Sequence, residues 1–146
     1  MVERRSPYGL GAVVPLPFEQ ALQRTREALA DEGFGILCEI DVAGTLRQKL
    51  GVDMPPYMIL GACNPPLARQ ALEAEPDIGL LLPCNVAVYG TQNPDESVVV
   101  SIDPKAALTL SGAPDLVPIA EKVARKLRTA MDQIVSSEQT AHDSGR

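Results

Sequence analysis

The stretch that decides the fold is YMILGACNPP, residues 57–66, in which an apolar run passes directly into a helix start. Side chains along a strand point alternately to opposite faces, so Met58, Leu60 and Ala62 share one face. Asn64 is a preferred helix N-cap residue, and the proline after it suits the first helical position. The stretch therefore predicts a strand over residues 57–63 joined directly to a helix that ends before Pro76.

A second Cys-Asn pair occurs about twenty residues later, in LLLPCNV, residues 80–86. Cys63 and Cys84 each stand beside a proline or one residue from it, where an apolar run meets a turn. If one strand ends at Cys63 and the next begins near Cys84, strand pairing brings both turns to one rim of a sheet. The intervening helix and residues 80–82 would then form the wall of a small pocket.

Two longer amphipathic helices flank these motifs. Apolar residues recur at helical spacing over residues 18–32 and 114–135. Strands are predicted over residues 8–14, 34–40, 57–63, 84–89 and 98–102, with a hairpin turn at Asn93-Pro94. In the second of these, Cys38 is predicted to pack on one face with Phe34, Ile36 and Ile40. This order predicts an α+β fold: a single open, largely antiparallel sheet of about five strands, with two long helices on one face.

The length and composition favour one domain with an aliphatic core. The chain has 146 residues, 45% of them hydrophobic, with no tryptophan and two phenylalanines. Periodicity ends near residue 135. We therefore expect a domain over residues 1–135 and a disordered C-terminal tail over residues 136–146.

Charge and cysteine content narrow the functional classes. The net charge is −6 and the basic residues are scattered, which argues against nucleic acid and against an anionic membrane surface as partners. No apolar run approaches the ~18 residues of a membrane span, and no signal peptide is recognisable. Three cysteines, an odd number, favour reduced thiols and a cytoplasmic location.

Three motifs together resemble the DUF302 family: GFG at residues 33–35, GACNP at 61–65 and LLPCNV at 81–86. The resemblance covers about residues 8–134. It implies a compact α+β fold with a β-α-β4-α core, like the sheet of TATA-binding-protein-type domains, and it implies homodimers. It implies no reaction, because the family has no assigned function.

The amino-acid pattern of the last predicted strand also favours a homodimer, independently of the resemblance. Val98, Val99, Val100 and Ile102 place apolar groups on both of its faces. A sheet covered on one side only would leave part of them exposed. A homodimer formed through the sheet is therefore expected.

The residues around the two Cys-Asn pairs are the candidate ligand-binding set: Cys63, Asn64, Cys84, Asn85 and Tyr89. Cys63 precedes a helix N-terminus, where the helix dipole and free N–H groups lower the pKa of a thiol. The alternative is that Cys63 and Cys84 pack as small hydrophobic residues and Asn64 serves only as a helix cap. Asn is disfavoured in strands, so the Asn85 amide is expected to hold a loop or a ligand. Tyr89 either lines a pocket or ends the sheet as an amphipathic residue.

Other chemistries have weaker sequence support. The single histidine, His142, lies in the predicted tail and gives Cys63 or Cys84 no evident base. Two separated cysteines without histidine are a poor zinc set, and the residues identify no metal and no cofactor. The leading interpretation is a homodimeric module that binds a small ligand or a protein partner. The alternatives are a thiol-dependent enzyme or a sulfur-handling protein that uses Cys63 or Cys84, or a Cu(I)-type soft-metal site on both thiolates.

Overall fold

The computed structural model describes the backbone of residues 1–144 and the side chains of residues 1–136. Six strands are present: β1 (Glu3–Ser6), β2 (Gly9–Val14), β3 (Gly35–Asp41), β4 (Tyr57–Cys63), β5 (Cys84–Gly90) and β6 (Ser97–Ile102). The helices are α1 (Phe18–Asp31), α2 (Val42–Leu50), α3 (Pro65–Ala74), α4 (Pro104–Leu108) and α5 (Leu116–Ser144). Short 3₁₀ segments lie at Pro76–Leu81 and Thr109–Ser111.

All six strands form one antiparallel sheet in the order β1-β2-β6-β5-β4-β3. The predicted α+β class with a single open antiparallel sheet is therefore confirmed, with six strands instead of about five. The additional strand is β1. Its sequence, ERRS, has no apolar alternation, because β1 is an edge strand whose first three residues are exposed.

Sequence signals at the element ends explain several boundaries. The side chain of Asp41 accepts a hydrogen bond from the Gly44 N–H and caps α2, which ends at Gly51 with φ of 68°. Gly33, with φ of 83°, follows α1 and turns the chain into β3. Left-handed backbone of this kind favours glycine, so a glycine follows the end of each of these two helices.

The core lies between one face of the sheet and the two long helices. The strand side chains of this face are buried and alternate with outward-facing ones, as the sequence predicts for β4. They are Ala12, Val14, Leu60, Ala62, Val86, Val88 and Val99. Leu22 and Leu29 of α1 and Leu127 and Ile134 of α5 belong to the same core. The two long helices therefore share one face of the sheet.

The opposite face of the sheet is half-exposed, and it carries no charged side chain on strands β2, β6, β5 and β4, whereas Glu3 of the edge strand β1 lies opposite Gly11 on this side. On the paired strands β2, β6, β5 and β4 it carries glycine, aliphatic and tyrosine side chains, with Asn85 as its polar residue. Val13 is 46% exposed, whereas Val98 next to it is buried outside the main core. We call this surface, formed by Gly11, Val13, Tyr57, Ile59, Gly61, Asn85, Ala87, Tyr89, Val98 and Val100, the open face.

An irregularity in β3 changes the position of Cys38. The pairing with β4 shifts between Ile36 and Cys38, so Ile36 lies opposite Ala62 while Cys38 lies opposite Gly61. The extra residue, Leu37, reverses the alternation that would place Ile36 and Cys38 on one face. Cys38 is exposed, and the prediction that it packs beside Ile36 is wrong.

The last helix differs from its predicted end. The backbone of α5 is helical as far as Ser144, beyond the end near Val135 that the periodicity predicts. Residues 145–146 of the predicted tail lie outside the described residues. The division into a domain over residues 1–135 and a tail over 136–146 stays a prediction. Within the described part of the chain, no helix is long and apolar enough to cross a membrane.

Candidate functional site

A cavity of about 290 Å³ lies at the rim of the sheet where β4 ends and β5 begins. Its walls come from α3, the Pro76–Leu81 segment, α4 and the first turns of α5. Cys63, Asn64 and Cys84 line it together with apolar side chains such as Phe34 and Leu82. Among the side chains that the structure describes, every residue that lines the cavity is uncharged.

Strand register explains how the two Cys-Asn turns meet. Ala62 pairs with Cys84 and Gly61 pairs with Asn85, so the first residue of β5 lies opposite the residue that precedes Cys63 at the end of β4. Cys84 points to the core side with Val86. Its thiol is close enough to Cys63 for an electrostatic interaction between the two groups. The structure thus brings Cys63, Asn64 and Cys84 to one cavity.

The other two candidate residues do not line the cavity. Asn85 is exposed and, by strand alternation, faces the open face instead of the core side. Tyr89 lies opposite Tyr57 at the other end of β5, and the two rings are stacked with their centroids 5.1 Å apart. Both residues are therefore outside the group that a ligand in the cavity would contact.

The N-terminus of α3 has no backbone donor left at its first four positions. Pro65 and Pro66 have no N–H, the Leu67 N–H donates to Oδ1 of Asn64 at 3.4 Å, and the Ala68 N–H donates to the Asn64 carbonyl at 2.8 Å. Asn64 is thus the predicted N-cap. Residues 65–68 therefore offer Cys63 no free backbone N–H, and the expected effect of this helix on the Cys63 thiol stays a prediction.

The environment of Cys84 keeps its thiol protonated. Burial, with a smaller contribution from nearby Cys63, raises the pKa of Cys84 from 9.0 to about 11. The thiolate is the reactive form of cysteine, so at neutral pH Cys84 is a small apolar residue with a weak S–H donor.

This shift predicts a loss of stability at alkaline pH. The raised pKa means that the folded state holds the proton more tightly than the unfolded chain does. The stabilisation is complete below about pH 9 and is lost as the pH rises toward 11. Between pH 8 and pH 10.5 the parent should lose about 2 kcal/mol more unfolding free energy than a Cys84→Val variant. Urea unfolding at both pH values measures the difference, and equal losses in the two proteins would contradict the assignment.

The described residues offer no obvious multidentate metal site. No group of three or more His, Cys, Asp or Glu side chains that could hold a metal ion occurs among them. All three cysteines are free thiols.

Several cavity walls were not identified as site residues from the sequence. Ile119 and Val123 of α5 and Leu108 of α4 line the cavity, although they are far from the Cys-Asn motifs in the chain. Ile119 and Val123 were identifiable only as members of an apolar helical stripe. That stripe predicts burial but does not tell which part of it contacts the core and which part borders a cavity.

The open antiparallel sheet, the helices on one face and the rim cavity define a small α+β domain, and comparison with known proteins assigns its family. The family model described as "Domain of unknown function DUF302" matches residues 11–134, and the chain belongs to this family. A similar solved structure is the crystal structure of an uncharacterized conserved protein DUF302 from Bacillus stearothermophilus. It is 27% identical, with a TM-score of 0.80, over 88% of this chain and 99% of that one. No curated protein matches the chain.

Proposed function

We propose that this chain is a homodimeric binding domain that holds a small ligand in the cavity beside Cys63, Asn64 and Cys84. The observation that carries the proposal is the cavity itself, with Cys63, Asn64 and Cys84 in its wall. Its volume of about 290 Å³ is near the lower end of the range for small-molecule sites, roughly 300–1,000 Å³. Apolar walls with a few convergent polar groups are typical of such sites.

The second candidate function is a thiol-dependent enzyme or a sulfur- or soft-metal-handling protein. Cys84 is a poor nucleophile or thiolate ligand while its pKa is near 11. Such a function would therefore depend mainly on Cys63. The adjacency of the two thiols is the one feature that favours it.

Filling the cavity tests the binding function. Ala68 is half-buried in the cavity wall, whereas Ala74 is exposed on the same helix and does not line the cavity. We expect the neutral fluorophore N-phenyl-1-naphthylamine to bind the parent and the Ala74→Phe variant with the same affinity. Its affinity for the Ala68→Phe variant should be lower by roughly tenfold or more. A fluorescence titration measures the three dissociation constants, with circular dichroism as the check that each protein is folded. Equal affinity in all three proteins would contradict the cavity as the binding site.

The open face supports the homodimer in this proposal. It is apolar and uncharged over four adjacent strands, and a second copy with the same surface would cover it without burying a charge. The odd number of cysteines, none of them paired in a disulfide, supports a cytoplasmic location in this proposal. A mass that stays at the monomer value at all micromolar concentrations in sedimentation would contradict the homodimer.

A further inference from the structure

We propose that the cavity selects an uncharged, largely hydrocarbon ligand and rejects anions and cations of the same size. The inference rests on the proposed function and names the class of its ligand. It depends on three features. The residues that line the cavity are uncharged, the first turn of α3 has no free backbone N–H among residues 65–68, and the carboxylate of Asp103 before α4 is already paired with Arg4.

The N-terminus of α3 would normally attract an anion. Helix N-termini bind phosphate and carboxylate groups through free N–H donors and the helix dipole. Here Pro65 and Pro66 remove two donors, and Asn64 accepts hydrogen bonds from the next two, Leu67 and Ala68. An anion placed in the cavity would therefore find no free backbone N–H among residues 65–68, and the side-chain amide of Asn64 is the neutral donor left at this helix end.

The start of α4 offers an anion no better place. Asp103 precedes Pro104, which lines the cavity, and its carboxylate accepts a hydrogen bond from the Lys105 N–H at 3.0 Å. The other oxygen of Asp103 pairs with Arg4 at 2.7 Å. A carboxylate of the protein therefore already occupies this helix end, and the guanidinium of Arg4 is paired with it.

The same walls disfavour a cationic ligand. Asp103 is engaged with Arg4, and no carboxylate is among the described residues that line the cavity. Burying an ion without a partner is far less favourable than burying a neutral group. The polar residues in the cavity wall are Cys63, Asn64 and Cys84, and their neutral thiol and amide groups suit a hydroxyl or a carbonyl oxygen.

The size of the cavity selects the test compounds. An engineered apolar cavity of about 150 Å³ binds benzene, so a cavity of about 290 Å³ suits a rigid two-ring molecule. We choose 2-naphthol, 2-naphthoate and 2-naphthylmethylammonium, because a rigid molecule cannot extend a charged group on a flexible chain into water. At pH 7 isothermal titration calorimetry should show 2-naphthol binding roughly tenfold or more tightly than either ion.

A second variant restores the missing donors. Pro65 and Pro66 are exposed and do not line the cavity, so the Pro65→Ala, Pro66→Ala double variant should keep the fold and add two backbone N–H groups to the first turn of α3. We expect its affinity for 2-naphthoate to rise by roughly threefold or more, while its affinity for 2-naphthol stays unchanged. That selective gain would support the role given to the helix end.

The outcomes separate this inference from the proposed function. Binding of 2-naphthoate by the parent as tightly as 2-naphthol overturns the neutral-ligand inference and leaves the binding cavity in place. Unchanged naphthoate affinity in the double variant overturns the explanation from the N-terminus of α3. Failure of all three compounds and of the neutral fluorophore to bind contradicts the cavity as a ligand site, and with it the proposed function.

Discussion

Replacing Val100 by aspartate is expected to convert the proposed homodimer into a monomer. Val100 lies on the open face, between Gly11 of β2 and Ala87 of β5 in the strand register. In a two-fold interface each substitution appears twice, so two carboxylates would be buried in an otherwise uncharged contact. An unpaired buried charge of this kind should weaken the dimer by roughly 100-fold or more, which corresponds to about 3 kcal/mol.

Sedimentation velocity between 1 and about 100 µM protein measures this change. Val117 is the matched control, because it is 53% exposed in the first turn of α5 and does not belong to the open face. Val117→Asp should keep the mass of the parent. Val13→Asp, at a position that is 46% exposed, provides a second open-face variant with less risk to the monomer. A parent-like dimer in both open-face variants would show that the copies associate through another surface.

Replacing Gly11 by alanine is expected to lower the free energy of unfolding by about 3 kcal/mol. A Cβ at Gly11 would lie 2.3 Å from the Val99 carbonyl oxygen and 2.8 Å from Cα of Val100. Both atoms belong to the backbone of β6, so no side-chain rotation relieves the clash. The pairing of β2 with β6, which joins the β1-β2 hairpin to the rest of the sheet, would have to shift.

Gly79 is the control for this substitution. A Cβ at Gly79 would meet no atom within 4 Å, and the residue is exposed in the Pro76–Leu81 segment. Gly79→Ala should change the unfolding free energy by less than about 1 kcal/mol, because it adds no clash and removes freedom from the unfolded chain. Urea unfolding of the three proteins gives both differences. Similar losses of unfolding free energy in the two alanine variants would mean that the clash with the β6 backbone is not the reason why Gly11 disfavours a larger side chain.

Local signals explain which parts of the fold were predictable. The alternation of β4, the cap at Asn64 and the proline after it are all short-range features, and the structure has each where the sequence predicts it. The glycine stops of α1 and α2 are local in the same sense. Where the residues of one short segment already favour its conformation, tertiary contacts stabilise the same conformation further.

The features that the sequence did not reveal depend on neighbours. The strand β1 is held by pairing with β2 and by the ion pair between Arg4 and Asp103, and neither is visible in its own composition. The irregularity at Leu37 depends on the register against β4, so the side that Cys38 faces could not be read from alternation alone. A single extra residue is enough to exchange the two faces of a strand.

The candidate site was predictable in its position and only partly in its chemistry. The convergence of Cys63 and Cys84 follows from consecutive strands that pair at their ends, which is a topological expectation. The protonation of the thiols and the hydrogen-bond donors available beside them depend on the three-dimensional surroundings. Burial determines the pKa of Cys84, and the two prolines determine what the end of α3 can donate.

The irregular edges of the sheet have a consequence for how many molecules can associate. The register shifts between Arg4 and Ser6 in β1 and between Ile36 and Cys38 in β3, and these are the two outermost strands. An uninterrupted edge is a template for strands of other molecules, whereas a bulge twists the edge and interrupts its row of hydrogen-bonding groups. Both borders of this sheet are therefore poor starting points for fibre growth. Copies that meet through the open face, as proposed, would instead close on each other in a finite pair, so the chain would keep an extended apolar surface without recruiting further molecules indefinitely.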